Sequence, residues 1–207
     1  MKKMKITKFD ICTSLLTLSS MLPGLFVYSK LPDRIATHFS ADGSPDGWSS
    51  KAFAVFGLPL ILAALHIAAC LLTSADERAK SSPKSYNLVR MLTPALAFVV
   101  QTTMVLYALN KLDNVGMIFT CLLAVLLIVV GNYLPKTRQN SFIGIRTPKT
   151  LSDEEVWNKV HRLAGFVWMV AGIVGLICTF AVGVVAADII MIAALVAVTV
   201  YALVAKV

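Results

Sequence analysis

Charge is scarce in this chain of 207 residues: Asp, Glu, Lys and Arg make up 14%, while 57% of the residues are hydrophobic. Soluble domains carry about 25% charged and about 45–50% apolar residues. The composition and a mean hydropathy of +0.78 therefore argue against a soluble globular domain. Cysteine is scarce too. Cys12, Cys70, Cys121 and Cys178 fall in four different apolar runs with no C-x-x-C pair, which speaks against a disulfide framework or a zinc site. H-E-x-x-H, G-x-S-x-G and phosphate-loop patterns are missing. No two carboxylates face each other inside the apolar runs, as acid–base catalysis or a proton relay would need. Neither an enzyme nor a bound cofactor is expected.

What the chain does have is apolar length. Runs near 9–28, 52–73, 91–109, 115–133, 163–184 and 188–205 are long and uncharged enough to predict six transmembrane helices. Pro23 is expected to kink or end the first. The fold class is an all-α integral membrane protein, divided as 1–73 (two spans with the loop 29–51), 74–130 (two spans) and 131–207 (a long loop and two spans). The net charge of +8 does not point to nucleic acid, because the basic residues sit in the connections. With both termini cytoplasmic, 15 of the 19 Lys and Arg residues lie inside and 4 outside, as the positive-inside rule favours. That count puts 74–90 and 134–162 in the cytoplasm and 29–51 outside.

The loop 29–51 alternates apolar and polar residues over RIATHF and is rich in turn formers over ADGSPDG, predicting a short hairpin. Asp42–Gly47 resembles the start of a calcium loop, but the twelfth position is Phe53, so the bidentate glutamate is missing. His38, Asp42 and Asp46 could bind a metal weakly; a polar hairpin tip is the preferred reading. Within the spans, Asp10 and Asp188 lie at ends, and His66 is the ionisable group furthest inside a run. Such a group either bonds a neighbouring helix or, with Gln101, lines a transport path.

Gly131–Gly165 is the longest polar passage and holds six of the 19 basic residues. Phe142–Ile145 forms an apolar patch able to dip into the interface or cover helix ends. Ser152-Asp153-Glu154-Glu155 reads as a capping box. It would start an amphipathic helix at the membrane surface, with Val156, Val160 and Leu163 on one stripe, a Glu155–Lys159 pair on another, and Trp157 as interfacial anchor. From these residues alone the passage is either an interfacial connector or a docking surface.

The passage also resembles the signature of the SdpI family of bacterial membrane proteins. The resembling residues are Gly131-Asn132, Leu134-Pro135-Lys136, Asn140, Phe142 through Pro148, Thr150-Leu151, Trp157 and His161-Arg162; Lys149 stands where the family commonly has Trp. The loop 29–51 is similar to the small N-terminal domain often fused to that signature, through Leu31-Pro32-Asp33, His38-Phe39, Gly43, Pro45-Asp46, Trp48 and Ser50-Lys51, with Ala36 where Pro is frequent. The resemblance implies a multispanning immunity receptor protecting its producer from a secreted peptide toxin, and a signalling role in which a cytoplasmic autorepressor is held at the membrane. Asp33, Arg34, His38, Phe39, Asp46 and Trp48 are the expected toxin contacts. Arg146, Asp153, Glu154, Trp157 and Arg162 are the expected repressor-binding face. The alternative from another class is a small transporter or exporter component.

Overall fold

The structure is a computed structural model that describes residues 5–40 and 43–205. The lysines at 2, 3 and 206, which enter the charge count, and Asp42 of the calcium-loop resemblance lie outside the described residues. In chain order the elements are α1 (Lys8–Ser19), α2 (Leu22–Phe26), β1 (Arg34–Phe39), β2 (Pro45–Ser50), α3 (Leu58–Ser74), α4 (Glu77–Lys80), α5 (Pro83–Ala108), α6 (Val115–Tyr133), α7 (Pro148–Ser152), α8 (Glu154–Ala181) and α9 (Val184–Val204). Among the described residues, six helical segments are long and apolar enough to cross a membrane: Lys8–Phe26, Phe53–Ser74, Pro83–Ala108, Val115–Lys136, Glu154–Ala181 and Val184–Val204. The molecule is an all-α membrane protein with six spans, and among the described residues β1 and β2 add a β-hairpin.

The chain divides into two compact units, Met1–Ala75 with Leu88–Gly116, and Asp76–Asn87 with Met117–Val207. This is a different partition from the three consecutive segments expected. In the first unit the break between α1 and α2 falls at Ser20-Met21, and Pro23 sits at the start of α2, where its missing N–H costs nothing. β1 and β2 pair antiparallel, with irregularities on either side of His38. The hairpin packs through Leu31 and Ile35 onto Ala54, Val55, Met104 and Val105. Near the other end of the spans, Arg90 forms a buried ion pair with Asp10 and donates to Thr7 Oγ1 at 2.7 Å; both charged side chains are almost fully buried. α5 ends in a turn with Asn110 at φ 54°, where Asn110 N–H donates to Tyr107 O and Lys111 N–H to Leu106 O. Asn tolerates that left-handed position better than most side chains.

In the second unit, α6 and α8 approach closely. A Cβ on Gly131 would lie 2.9 Å from Gly165 O, and one on Gly165 would overlap the Pro135 ring. These glycines permit the backbone contact that membrane helices use for packing.

Two helix starts differ from expectation. α5 begins at Pro83, so the end of the expected basic loop 74–90 is already helix. α8 begins at Glu154 and runs unbroken to Ala181, so the amphipathic segment and the fifth span are one rod.

Candidate functional site

The hairpin presents five of its six expected contact residues to the surface. Asp33 pairs with Lys51 at 3.3 Å, and its carbonyl accepts Lys51 N–H at 2.9 Å, closing the base of the hairpin. Arg34 opens β1 and is exposed. His38 Nδ1 donates to Asp46 Oδ1 at 2.5 Å across the strands, with both side chains exposed. Trp48 lies opposite Ala36 and is 48% exposed, a large apolar group that β2 leaves uncovered. Phe39 differs: it meets Tyr107 edge-on at 5.1 Å between centroids and packs on the hairpin's core. No group of three or more metal-ligating side chains forms among the described residues.

The Gly131–Gly165 loop is a closed hydrogen-bonded structure. Asn140 organises its first turn: Oδ1 accepts the N–H groups of Phe142 (2.8 Å) and Ile143 (2.7 Å), while Nδ2 donates to the carbonyls of Arg138 (2.8 Å) and Ile143 (2.9 Å). That uses the amide's full donor set and both oxygen lone pairs. Gly144 follows at φ 120°, where a Cβ would overlap His161 Nε2 and sit 3.0 Å from the Trp157 ring. Only glycine combines that backbone with that clearance. Ile145 N–H donates to His161 Nε2 at 3.0 Å, and His161 Nδ1 lies 2.8 Å from Trp157 O. The first bond makes Nε2 the acceptor, so Nδ1 carries the proton and donates. Trp157 stacks on His161 at 3.9 Å and its Nε1 donates to Thr137 O at 2.7 Å.

The second half of the loop is tied down by threonines. Thr147 caps α7: Thr150 N–H donates to its Oγ1 at 3.2 Å and Thr147 N–H donates to Thr150 Oγ1 at 2.8 Å, a reciprocal pair in which Thr stands where Glu or Gln is usual. The Thr147 hydroxyl also reaches Ala202 O of α9 at 3.0 Å. Gln139 clamps the C-terminal side, donating to Thr150 O and Leu151 O. From the segment before α5, Asp76 accepts Arg78 N–H and Ala79 N–H on one oxygen and Ser141 N–H on the other. Burial works to raise its pKa, but these N–H bonds outweigh it and hold the carboxyl below its ordinary value.

Several expectations need correction. Trp157 is fully buried and bonded inward, so it is neither an interfacial anchor nor part of an accessible face. The capping box is not centred on Ser152, whose hydroxyl donates to Lys149 O within α7; Asp153 caps α8 by accepting Glu155 N–H and Val156 N–H. Leu163 is 38% exposed; the buried stripe of α8 is Val156, Trp157, Val160, His161 and Ala164. Phe142–Ile145 covers helix ends: Ile143 packs on Ala79 and Tyr86, and Ile145 on the cluster of Val156, Val160, Ala202 and Ala205. Arg146, Glu154 and Arg162 are exposed, Asp153 is half-buried at its cap, and Arg146 Nη1 donates to Ser141 O. His66 Nε2 lies 2.9 Å from Thr13 Oγ1, and Gln101 donates to Ala54 O at 3.1 Å, so each is engaged within the first unit.

Sequence reasoning missed Asp76, Gln139, Thr137, Asn140 as a turn-builder, and the Asp10–Arg90 pair. An Asp one residue inside an apolar run was the available signal for the last, since a charge there demands a partner.

Comparison with known proteins adds identity to this geometry. The SdpI/YfhL protein family matches residues 136–206, and a domain of unknown function, DUF1648, matches residues 15–63. The chain is 29% identical over 186 residues, 88% of its length and 84% of the relative's, to the protein named immunity protein SdpI of Bacillus subtilis (strain 168). No solved structure matches significantly. The hairpin lies in one matched region and nearly all of the loop in the other. The chain is therefore a multi-pass membrane protein whose residues 136–206 match the SdpI/YfhL protein family and whose residues 15–63 match DUF1648.

Proposed function

We propose that this chain is an immunity protein that protects the cell carrying it from a secreted antibacterial peptide toxin. The observation that carries the reading is similarity to a named immunity protein along 88% of the chain, covering both the hairpin and the loop. In this reading the hairpin faces out and meets the toxin through Asp33, Arg34, His38, Asp46 and Trp48. Phe39 sets the hairpin's seat rather than its contacts. Trp48 is the anchor, being the exposed aromatic of a type that dominates interface energetics. The loop faces the cytoplasm, and Arg146, Asp153, Glu154 and Arg162 on its exposed side recruit a cytoplasmic repressor. Toxin binding must favour the conformation that presents this side, because a ligand with equal affinity for two states shifts neither. The internal bonds of His66 and Gln101 support a receptor over the transport alternative.

The test is expression in a toxin-sensitive host lacking its own immunity protein, challenged with the sporulation-delaying toxin peptide. Survival well above the empty vector is expected, and survival equal to it sinks the reading for that toxin. For signalling, Arg146→Ala is expected to release a membrane-recruited repressor while protection persists.

A further inference from the structure

The segment ahead of the third span, the one that follows the fourth and the start of the fifth line one polar cleft in the second unit. Arg78 stands four residues beyond the end of the second span at Ser74, and Ser81 two before the third begins at Pro83. Arg138 and Gln139 follow the fourth span, which ends at Lys136, and Glu154 is the first residue of the fifth. These five side chains line a cleft of about 210 Å³. Its position at the span ends is headgroup depth, where the hydrocarbon core gives way to polar lipid groups.

The cleft is built rather than incidental. Arg78 begins the turn capped by Asp76, which accepts its N–H at 2.8 Å and binds Ser141 N–H at the same distance. Arg138 is held by its N–H to Ser82 Oγ at 2.9 Å, and Gln139 by its clamp on Thr150 O and Leu151 O. Arg78 Nη1 lies 3.4 Å from Gln139 Oε1, which aims that guanidinium across the cleft. Among the described residues, no ion pair within 4.0 Å joins Glu154 to either arginine. Two arginines thus line one cleft with no carboxylate paired to either within 4.0 Å, and Glu154 lines the cleft with them.

Two forked cations close together favour a phosphate, whose oxygens accept paired N–H donors from each. A separate carboxylate favours a cation on the same ligand. The volume falls below the about 300–1,000 Å³ of sites enclosing whole small molecules, which suits a headgroup whose remainder stays in the bilayer. We infer that the Arg78–Ser81–Arg138–Gln139–Glu154 cleft binds the headgroup of a phosphatidylethanolamine-type lipid, its phosphate on the two arginines and its ammonium on Glu154. The inference does not rest on the immunity reading, and where the lipid is bound it removes Glu154 from the residues free to meet a repressor.

The test uses the full chain purified in detergent, mixed with equimolar phosphatidylethanolamine, phosphatidylcholine and phosphatidylglycerol, and read by native mass spectrometry. Preferential retention of one phosphatidylethanolamine is expected. Arg78→Gln and Arg138→Gln should each lower it about tenfold. Glu154→Gln should abolish the preference over phosphatidylglycerol while keeping lipid bound. Lys84→Gln removes an exposed cation outside the cleft and is expected to change nothing; if it lowers retention as much as the arginine variants, diffuse positive charge explains the binding and the site is overturned. A parallel arm offers inorganic phosphate alone. Phosphate binding that the arginine variants abolish, with no lipid retained, overturns the membrane source; helical circular dichroism confirms that each variant is folded. Equal retention of all three lipids by the wild type overturns the assignment of the ammonium to Glu154.

Discussion

Gly144 shows how much of the loop depends on single residues. Its positive φ and the overlap a Cβ would make with His161 leave no room for a side chain. Gly144→Ala is expected to cost about 1–3 kcal/mol, seen as a lowered denaturation midpoint in detergent. Arg162→Ala on the exposed side of the adjoining helix should stay within about 0.5 kcal/mol. Equal midpoints for both would remove the steric argument. Asp10 and Arg90 make a second case. Removing either partner of the buried pair strands the other charge and should cost about 3–5 kcal/mol, whereas the double change Asp10→Leu with Arg90→Met should recover most of it. Additive losses in that cycle would mean the two are not coupled. At this scale the sequence was only partly legible. Asp10 was visible at the edge of an apolar run, but its partner lies 80 positions away, beyond the reach of local spacing. Trp157 was visible as an aromatic near a span end, a place where such residues usually anchor to the interface. What turned it inward was the Thr137 carbonyl and the clearance at Gly144, neither of which has a compositional signal.

Among the elements, the connection 76–82 acts as a strut for the loop. Asp76 joins α4 to Ser141, and its folded carboxyl titrates below the ordinary 3.8. A depressed carboxylate contributes stability that is complete above the unfolded value and is lost as pH falls through the folded one. The protection of amides across 138–146, taken relative to intrinsic exchange at each pH, should therefore be high at neutral pH and be lost as pH falls through the folded value. Asp76→Asn should show faster exchange already at pH 7 and a flattened acid dependence. An unchanged exchange profile would mean Ser141 is held by other bonds. Element existence was well legible from the sequence: six spans and the hairpin, with the interruption of the first span falling at Ser20-Met21, just ahead of Pro23. Element starts were not. α5 and α8 begin in polar sequence, Pro83–Arg90 and Glu154–Arg162, because hydropathy registers where a helix meets lipid and not where it begins. Ser152 looked like a cap for the same reason. It carries the right hydroxyl, but Thr147-Pro148 starts a turn just upstream that consumes it.

For the whole molecule, the charge count predicts which connections face which side. In a variant free of its four native cysteines, Lys111→Cys is expected to react with an impermeant thiol reagent on intact cells. Lys149→Cys is expected to react only after permeabilisation. The reverse pattern would turn the topology over, and with it the assignment of the hairpin to toxin and the loop to a repressor.

The unbroken length of α8 carries a mechanical consequence. Its 28 residues span about 42 Å at 1.5 Å per residue, against a hydrocarbon core of about 30 Å, so about two turns stand beyond the oil. The loop is bolted to those turns through Trp157 and His161, while Gly165, Gly172 and Gly175 pack directly against neighbouring atoms further along. Were α8 to tilt as one rod by about 5° about its far end, the loop end would swing by about 4 Å, so the length of the helix sets how far a small tilt in the bilayer would carry the loop.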